Sequence, residues 1–75
     1  MNFREIFSVR LSALRSQKGD SMAALGAVVG VSDEAIRLME KAKRSPSFEV
    51  LLMLADYFNV SLDYLVGRSD VKEKL

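Results

Sequence analysis

The stretch that decides the fold runs from residue 21 to residue 44 and reads SMAALGAVVGVSDEAIRLMEKAKR. It contains two short apolar segments, each preceded by a serine that can cap the start of a helix, Ser21 and Ser32. Only two residues lie between the first segment and the second cap, and one of them is Gly30, which tolerates the positive φ of a tight turn. Gly26 lies inside the first segment and indicates that another backbone approaches closely there. The stretch therefore predicts two helices that cross steeply through a short turn.

Further helical segments flank this stretch, because apolar residues repeat at helical spacing and no strand-like alternation persists. The predicted helices are Phe3–Lys18, Met22–Val29, 33 to about 41, Phe48–Phe58 and Leu62–Val66. Ser47 and Ser61 are the predicted start caps of the last two helices, and Gly19 and Gly67 are predicted end caps. Turns of two to five residues between helices predict an all-α fold, a five-helix orthogonal bundle with a helix-turn-helix.

The apolar pattern also predicts which residues are buried. The helix Phe48–Phe58 contains six consecutive apolar residues and two charged ones, so it is expected to be the central, buried helix. All four phenylalanines, which are Phe3, Phe7, Phe48 and Phe58, are assigned to the core. Arg10 lies on the apolar face of the first helix and must reach water or a carboxylate, for which Asp63 is a candidate.

Composition narrows the possible functions. The chain has 75 residues, 49% of them apolar and 28% charged, which is typical of one small globular domain. It has no Cys and no His, so it lacks thiolate and imidazole side chains as metal ligands. It also lacks His as a general base, the role that His fills most often in enzymes. We therefore expect no metal, no cofactor, no small-molecule substrate and no enzyme activity.

The longest apolar run, which begins at Met22, is too short to span a bilayer, and residues 1–5 lack the order of a signal peptide. The expected location is the cytoplasm, without membrane contact.

Charge is distributed unevenly along the chain. Residues 1–45 carry eight Lys or Arg and five Asp or Glu, for a net +3, whereas residues 46–75 carry three and five, for a net −2. The basic excess is greatest in residues 37–44, where four basic residues accompany a single Glu. A local basic patch can attract nucleic acid even when the total charge is near zero, although a short run of charge can also be an ordinary solvated surface.

Most of the chain, from Phe7 to Asp70, resembles the Cro and lambda-repressor type of helix-turn-helix DNA-binding domain. The resemblance rests on Gly26, Gly30-Val31-Ser32, Ile36 with Glu40 and Lys43, Arg44-Ser45-Pro46-Ser47, and the ending LADYFNVSLDYLVGRS at residues 54–69. It implies a lambda-repressor-like DNA-binding domain over residues 1–67. Residues 68–75, by their charge and terminal position, are expected to form a tail that frays. It also implies that the third helix enters the major groove of double-stranded DNA.

The resemblance assigns candidate DNA contacts residue by residue. The base-reading positions are Asp33, Glu34, Arg37 and Leu38. The positions that would contact sugar-phosphate are Ser21, Ser32, Lys41, Lys43 and Arg44. Arg15 and Glu40 match a partly buried ion pair between the first and third helices. The chain departs from the family pattern at Met22, where Gln is frequent, and at Ala42, where Gly is usual. If Ala42 keeps a positive φ, it costs about 1 kcal/mol.

Several of these residues admit more than one interpretation. Asp33 and Glu34 can favour the helix dipole, accept from a cytosine amino group, or indicate that DNA binding has been lost. Arg37 can contact guanine, or it can pair within the helix with Asp33 or Glu34. Leu38 can contact a thymine methyl group or pack on the protein surface.

The resulting hypothesis is a repressor-like transcriptional regulator that binds double-stranded DNA. A homodimer is expected, because high affinity usually needs two modules on adjacent half-sites. The predicted dimer interface is Leu62, Tyr64, Leu65 and Val66, residues that could instead only close the bundle. The alternative function is a protein-interaction module, antitoxin-like or anti-repressor-like, that keeps the fold, has lost DNA binding and binds a protein partner.

Overall fold

The computed structural model describes residues 2–74, and the outermost residues of the predicted domain and tail, Met1 and Leu75, lie outside the described residues. The helices are α1 (Phe3–Lys18), α2 (Met22–Val29), α3 (Asp33–Glu40), α4 (Phe48–Phe58) and α5 (Leu62–Val66). No strand occurs in this part of the chain. The all-α class and the five predicted helices are therefore confirmed. Only α3 ends one residue early, because Lys41 is its C-cap with φ of −98°.

Short-range hydrogen bonds explain why the helices begin where they do. Each of the four predicted cap serines accepts a hydrogen bond from the backbone N–H three residues later: Ser21, Ser32, Ser47 and Ser61. Asn2 caps α1 in the same way, with 2.9 Å between its Oδ1 and the nitrogen of Glu5. The sequence analysis did not identify this fifth cap. Such side-chain acceptors satisfy N–H groups that the first helical turn leaves unpaired.

The crossing of α2 and α3 depends on Gly26. A Cβ atom at this position would lie 2.5 Å from the carbonyl oxygen of Val31, which is far inside contact distance. The nitrogen of Val31 in turn donates to the carbonyl of Gly26 at 2.9 Å. Gly30 makes the turn between the helices with φ of 77°. These contacts confirm the predicted close approach and bring the start of α3 directly against α2.

The core lies between the helices and draws on all five of them. Its fully buried side chains are Leu11, Leu25, Val29, Ile36, Met39, Leu54 and Leu65. The prediction that α4 is the central helix is wrong, since it packs mainly against α2 and α5 and leaves Leu52 and Met53 exposed. Phe7 is buried and Phe58 packs against the core, as predicted. Phe3 and Phe48 are instead 61% and 68% exposed, since neither ring packs against the core cluster, so their assignment to the core is wrong.

Arg10 finds a different partner from the predicted one. Its guanidinium donates to the carbonyls of Tyr64 and Ser69 and to Oδ1 of Asp70, the last at 2.8 Å. It also lies 4.1 Å from the centre of the Tyr64 ring. Asp63, the predicted partner, faces Arg68 at 3.7 Å. The assignment of Asp63 is therefore wrong.

The tail after α5 folds back onto the bundle, contrary to the expectation that it frays. The backbone nitrogen of Ser61 donates to the carbonyl of Lys72 at 2.7 Å. Lys74 Nζ lies 2.9 Å from Oδ1 of Asp56 on α4. These contacts, together with the bond between Arg10 and Asp70, hold the tail against α1, α4 and the start of α5.

Two kinds of feature are not found within residues 2–74. No helix there is both long and apolar enough to cross a bilayer. The same residues contain no cluster of three or more acidic side chains that could hold a metal ion.

Candidate functional site

The exposed side of α3 brings together the four predicted base-reading residues. One face of this helix packs inward through Ala35, Ile36 and Met39, which are 2% exposed or less. The opposite face carries the exposed Asp33 and Glu34 and the half-buried Arg37 and Leu38. The first turn of α3 therefore presents two carboxylates to solvent, and the next turn presents one guanidinium.

A partly buried ion pair holds the other end of α3 on the bundle. Arg15 on α1 donates from Nε and Nη2 to the two carboxylate oxygens of Glu40, at 2.5 and 3.0 Å. The two side chains are only 17% and 6% exposed. The hydrogen bonds that Arg15 donates to Glu40 raise the pKa of Arg15 above its ordinary value. The structure confirms this pair, and it fixes α3 relative to α1.

The same arginine reaches the loop before α2. Its Nη1 donates to the carbonyl of Asp20 at 2.9 Å, and the carboxylate of Asp20 accepts from the hydroxyl of Tyr57 at 2.5 Å. This hydrogen bond raises the pKa of Tyr57. Lys18 Nζ lies 4.6 Å from the centre of the Tyr57 ring. The sequence analysis missed the hydrogen bond between Tyr57 and Asp20, because no sequence pattern connects residues 37 positions apart. It fixes the loop that leads to Ser21.

Arg37 is paired within α3, and its partner is Glu34 rather than Asp33. Its Nε and Nη2 donate to the two carboxylate oxygens of Glu34 at 2.7 and 2.6 Å. The pairing lowers the pKa of Glu34 and raises that of Arg37. Both side chains remain accessible, at 59% and 41% exposed. Asp33 accepts a hydrogen bond from the backbone nitrogen of Glu34 at 2.9 Å, which supports the start of the helix.

The basic residues lie around a sharp turn that follows α3. Ala42 adopts φ of 59°, so this position, where the resembled family usually has glycine, keeps a positive φ. The nitrogen of Lys43 donates to the carbonyl of Leu38 at 2.9 Å, so the chain reverses at once. Lys41, Lys43 and Arg44 are exposed, and among residues 2–74 their side chains make no hydrogen bond or ion pair. This cluster is called the basic turn below.

The two serines predicted to contact phosphate lie at helix starts. The hydroxyls of Ser21 and Ser32 each accept from a backbone N–H at 3.0 Å, and both residues are exposed. Capping is therefore their observed role. The N-termini of α2 and α3, to which they belong, favour anions through their unpaired N–H groups. Met22, which follows Ser21, is partly buried and packs against the core.

The predicted dimer interface is only partly accessible. Leu65 is fully buried in the core, so its side chain cannot contact a second chain, and its assignment to the interface is a mistake. Leu62, Tyr64 and Val66 are half-buried. A groove of about 300 Å³ runs between Leu62 and the exposed Leu52 of α4.

Comparison with known proteins agrees with this architecture. A family model described as helix-turn-helix matches residues 11–65. The regulator AnsR of Bacillus subtilis strain 168 is 36% identical over 64 residues, which cover 85% of this chain and 55% of AnsR. The regulator ImmR of the same strain is 29% identical over 65 residues, covering 87% and 51%. The chain thus spans about half the length of the curated relatives it matches. The P22 c2 repressor, solved in complex with a synthetic operator, superposes with a TM-score of 0.80 at 36% identity, covering 85% of this chain and 97% of that one.

Proposed function

Because the chain belongs to the helix-turn-helix family, of the Cro and lambda-repressor type, we propose that it is a repressor-like transcriptional regulator that binds specific sequences of double-stranded DNA. The observation that carries the proposal is the arrangement of α3. Its outer face is open to solvent, and the basic turn follows directly at its end. The P22 c2 repressor with its operator supports the same use of this fold.

In the proposed complex, α3 lies in the major groove. An α-helix with its side chains is about 10–12 Å across, which is comparable to the width of that groove, about 12 Å. Arg37 can donate to guanine, Asp33 or Glu34 can accept from a cytosine amino group, and Leu38 can contact a thymine methyl group. The Arg15–Glu40 pair holds the helix in place, so these side chains keep one orientation relative to the bundle.

The basic turn supplies the proposed phosphate contacts. Lys41, Lys43 and Arg44 project three positive charges that the described residues do not neutralise. Ser21 and Ser32 add the N-termini of α2 and α3, which attract phosphate through backbone N–H groups. Contacts of this kind position a protein on the duplex without reading its sequence. They also make binding depend steeply on salt.

We further propose that the protein binds as a homodimer. One module makes too few base contacts for high affinity, whereas two modules on half-sites one helical turn apart roughly double them. The surface that fits this role comprises Leu62, Tyr64 and Val66, together with the exposed Leu52 and Met53 of α4. Burial of these side chains between two copies would remove apolar surface from water.

A second candidate function is a protein-interaction module that has lost DNA binding. The observation that favours it is the pairing of Arg37 with Glu34, because it cancels the one positive charge on the outer face of α3 and leaves the charge of Asp33. In this case the chain would itself be antitoxin-like or anti-repressor-like, and a protein partner would cover the same face.

The test is selection of bound sequences from a random duplex pool at low salt, followed by affinity measurements over a salt series. We expect a palindrome and an affinity that falls steeply as salt rises. Reversal of charge at Lys43→Glu and Arg44→Glu should weaken binding to every duplex and reduce the salt slope by about 2. Lys72→Glu on the tail reverses one charge, as each single variant does, but away from the basic turn, and should leave the salt slope nearly unchanged. No enrichment of any sequence, or affinity that is flat with salt, would refute the proposal.

A further inference from the structure

The pair between Glu34 and Arg37 has a geometry that bears on base recognition. A guanidinium has five N–H groups, arranged so that two different edges can each make a pair of parallel hydrogen bonds. Glu34 occupies the side edge, since its two oxygens accept from Nε at 2.7 Å and from Nη2 at 2.6 Å. The outer edge, formed by one N–H of Nη1 and the second N–H of Nη2, points away from Glu34.

The N–H groups of that outer edge remain free to donate to a base. Guanine presents O6 and N7 as two adjacent acceptors in the major groove, and arginine binds them through a pair of N–H groups. The ion pair and a guanine contact therefore do not compete for the same hydrogen atoms. We propose that Glu34 is a positioning residue, which holds Arg37 so that its outer edge reads a guanine in each half-site. This inference rests on the proposed function.

Glu34 and Asp33 have different roles, because their carboxylate oxygens accept hydrogen bonds from different groups. Both carboxylate oxygens of Glu34 already accept from Arg37, so this side chain is directed at the arginine rather than at a base. Asp33 differs, because only its Oδ1 accepts a hydrogen bond, from a backbone nitrogen. The two acidic residues at the start of α3 thus have separate functions, and Glu34 moves from the base-reading set to the support of Arg37.

The effect of holding Arg37 in place with Glu34 is expected to appear as a stronger preference for guanine over the other bases. An arginine that is mobile in the free protein loses rotamer freedom when it binds, which weakens binding by about 2- to 10-fold. Prior pairing with Glu34 removes part of that loss. In water an exposed pair of this kind is weak, but it strengthens in the groove, where water is displaced and the effective dielectric is lower.

Selection from a random duplex pool, with the intact chain and three variants, tests the inference. Arg37→Ala identifies the base pair that the arginine reads, as the position where guanine preference disappears. Glu34→Gln should reduce guanine preference at that same position by about 2- to 10-fold, while affinity for unrelated duplex at low salt stays equal or rises, since a negative charge is removed. Asp33→Asn makes the same change of charge on the same face; it can alter the preference at the base pair that Asp33 itself reads, but it should keep the guanine preference at the position that Arg37 reads. Circular dichroism checks that each variant is folded.

The outcomes separate the inference from the function on which it rests. If the unmodified chain enriches no sequence, both are overturned. If it enriches a palindrome but Glu34→Gln keeps the full preference for guanine, only the role of Glu34 is overturned. An equal loss in Asp33→Asn would show that charge rather than the pairing geometry is responsible. If Arg37→Ala keeps its preference for guanine at every position of the selected sequences, Arg37 does not read a guanine and the inference is overturned.

Discussion

Replacement of Ala42 by glycine should stabilise the protein. Ala42 has φ of 59°, in the left-handed region where a Cβ atom crowds the following carbonyl oxygen. This strain costs a residue with a side chain about 1–2 kcal/mol, and glycine avoids it. Glycine also gives the unfolded chain more conformational freedom, which offsets about 0.5–1 kcal/mol. The net expectation is a gain of about 0.5–1 kcal/mol in the free energy of unfolding.

The measurement is thermal and urea unfolding followed by far-UV circular dichroism. For a domain of this size, the gain corresponds to an increase in Tm of about 4 °C. Ala13→Gly is the matched control, because Ala13 is an exposed residue inside α1. There the same substitution should destabilise the protein by about 1 kcal/mol. If Ala42→Gly lowers Tm as Ala13→Gly does, the left-handed strain at Ala42 does not exist and the reasoning is wrong.

Three further substitutions test contacts that hold α3 and α4 in place. Gly26→Ala should lower the free energy of unfolding by about 1–2 kcal/mol in urea titrations, since overpacking against a backbone carbonyl 2.5 Å away outweighs the better helix propensity of alanine. Glu40→Gln should cost about 2 kcal/mol, less than for a fully buried pair because Arg15 is 17% exposed. The hydrogen bond to Asp20 raises the pKa of Tyr57 above 10.0, so its contribution to stability is complete below pH 10 and is lost as pH rises through the folded-state pKa. Tyr57→Phe should therefore lose less stability than the unmodified protein in unfolding measured above about pH 10.

Each of these expectations has a contrary result. Unchanged stability in Gly26→Ala would mean that α2 and α3 can move apart without cost. A neutral Glu40→Gln would show that the ion pair contributes nothing to the placement of α3. Parallel loss of stability at alkaline pH with and without the tyrosine hydroxyl would assign that loss to other groups.

Several errors of the sequence analysis concern which side of a helix is covered. The run of apolar residues in α4 indicates burial on every side, but the structure leaves Leu52 and Met53 exposed because α4 lies at one side of the bundle. Phe3 and Phe48 are exposed because no neighbouring helix covers them. Met22 and Leu62, which also begin helices, instead pack against the core. Periodicity shows which faces could be buried, and only the arrangement of neighbouring helices decides which faces are.

The candidate site was predictable in part. The outer face of α3 and the basic turn follow from the position of the helix in the resemblance and from the burial pattern of Ile36 and Met39. The choice of Glu34 rather than Asp33 as the partner of Arg37 did not follow, because both spacings allow a contact on a helix. The contact of Tyr57 with Asp20 left no sequence signal at all.

The amino-acid sequence by itself determined the helices, their caps and the glycine at the crossing of α2 and α3. These features depend mainly on interactions between residues a few positions apart, which form within one helix or one turn. Only the tertiary structure decided that Arg10 pairs with Asp70, that Leu65 is buried, and that the tail folds back. Such contacts join residues distant along the chain, and their geometry exists only after the helices have packed together.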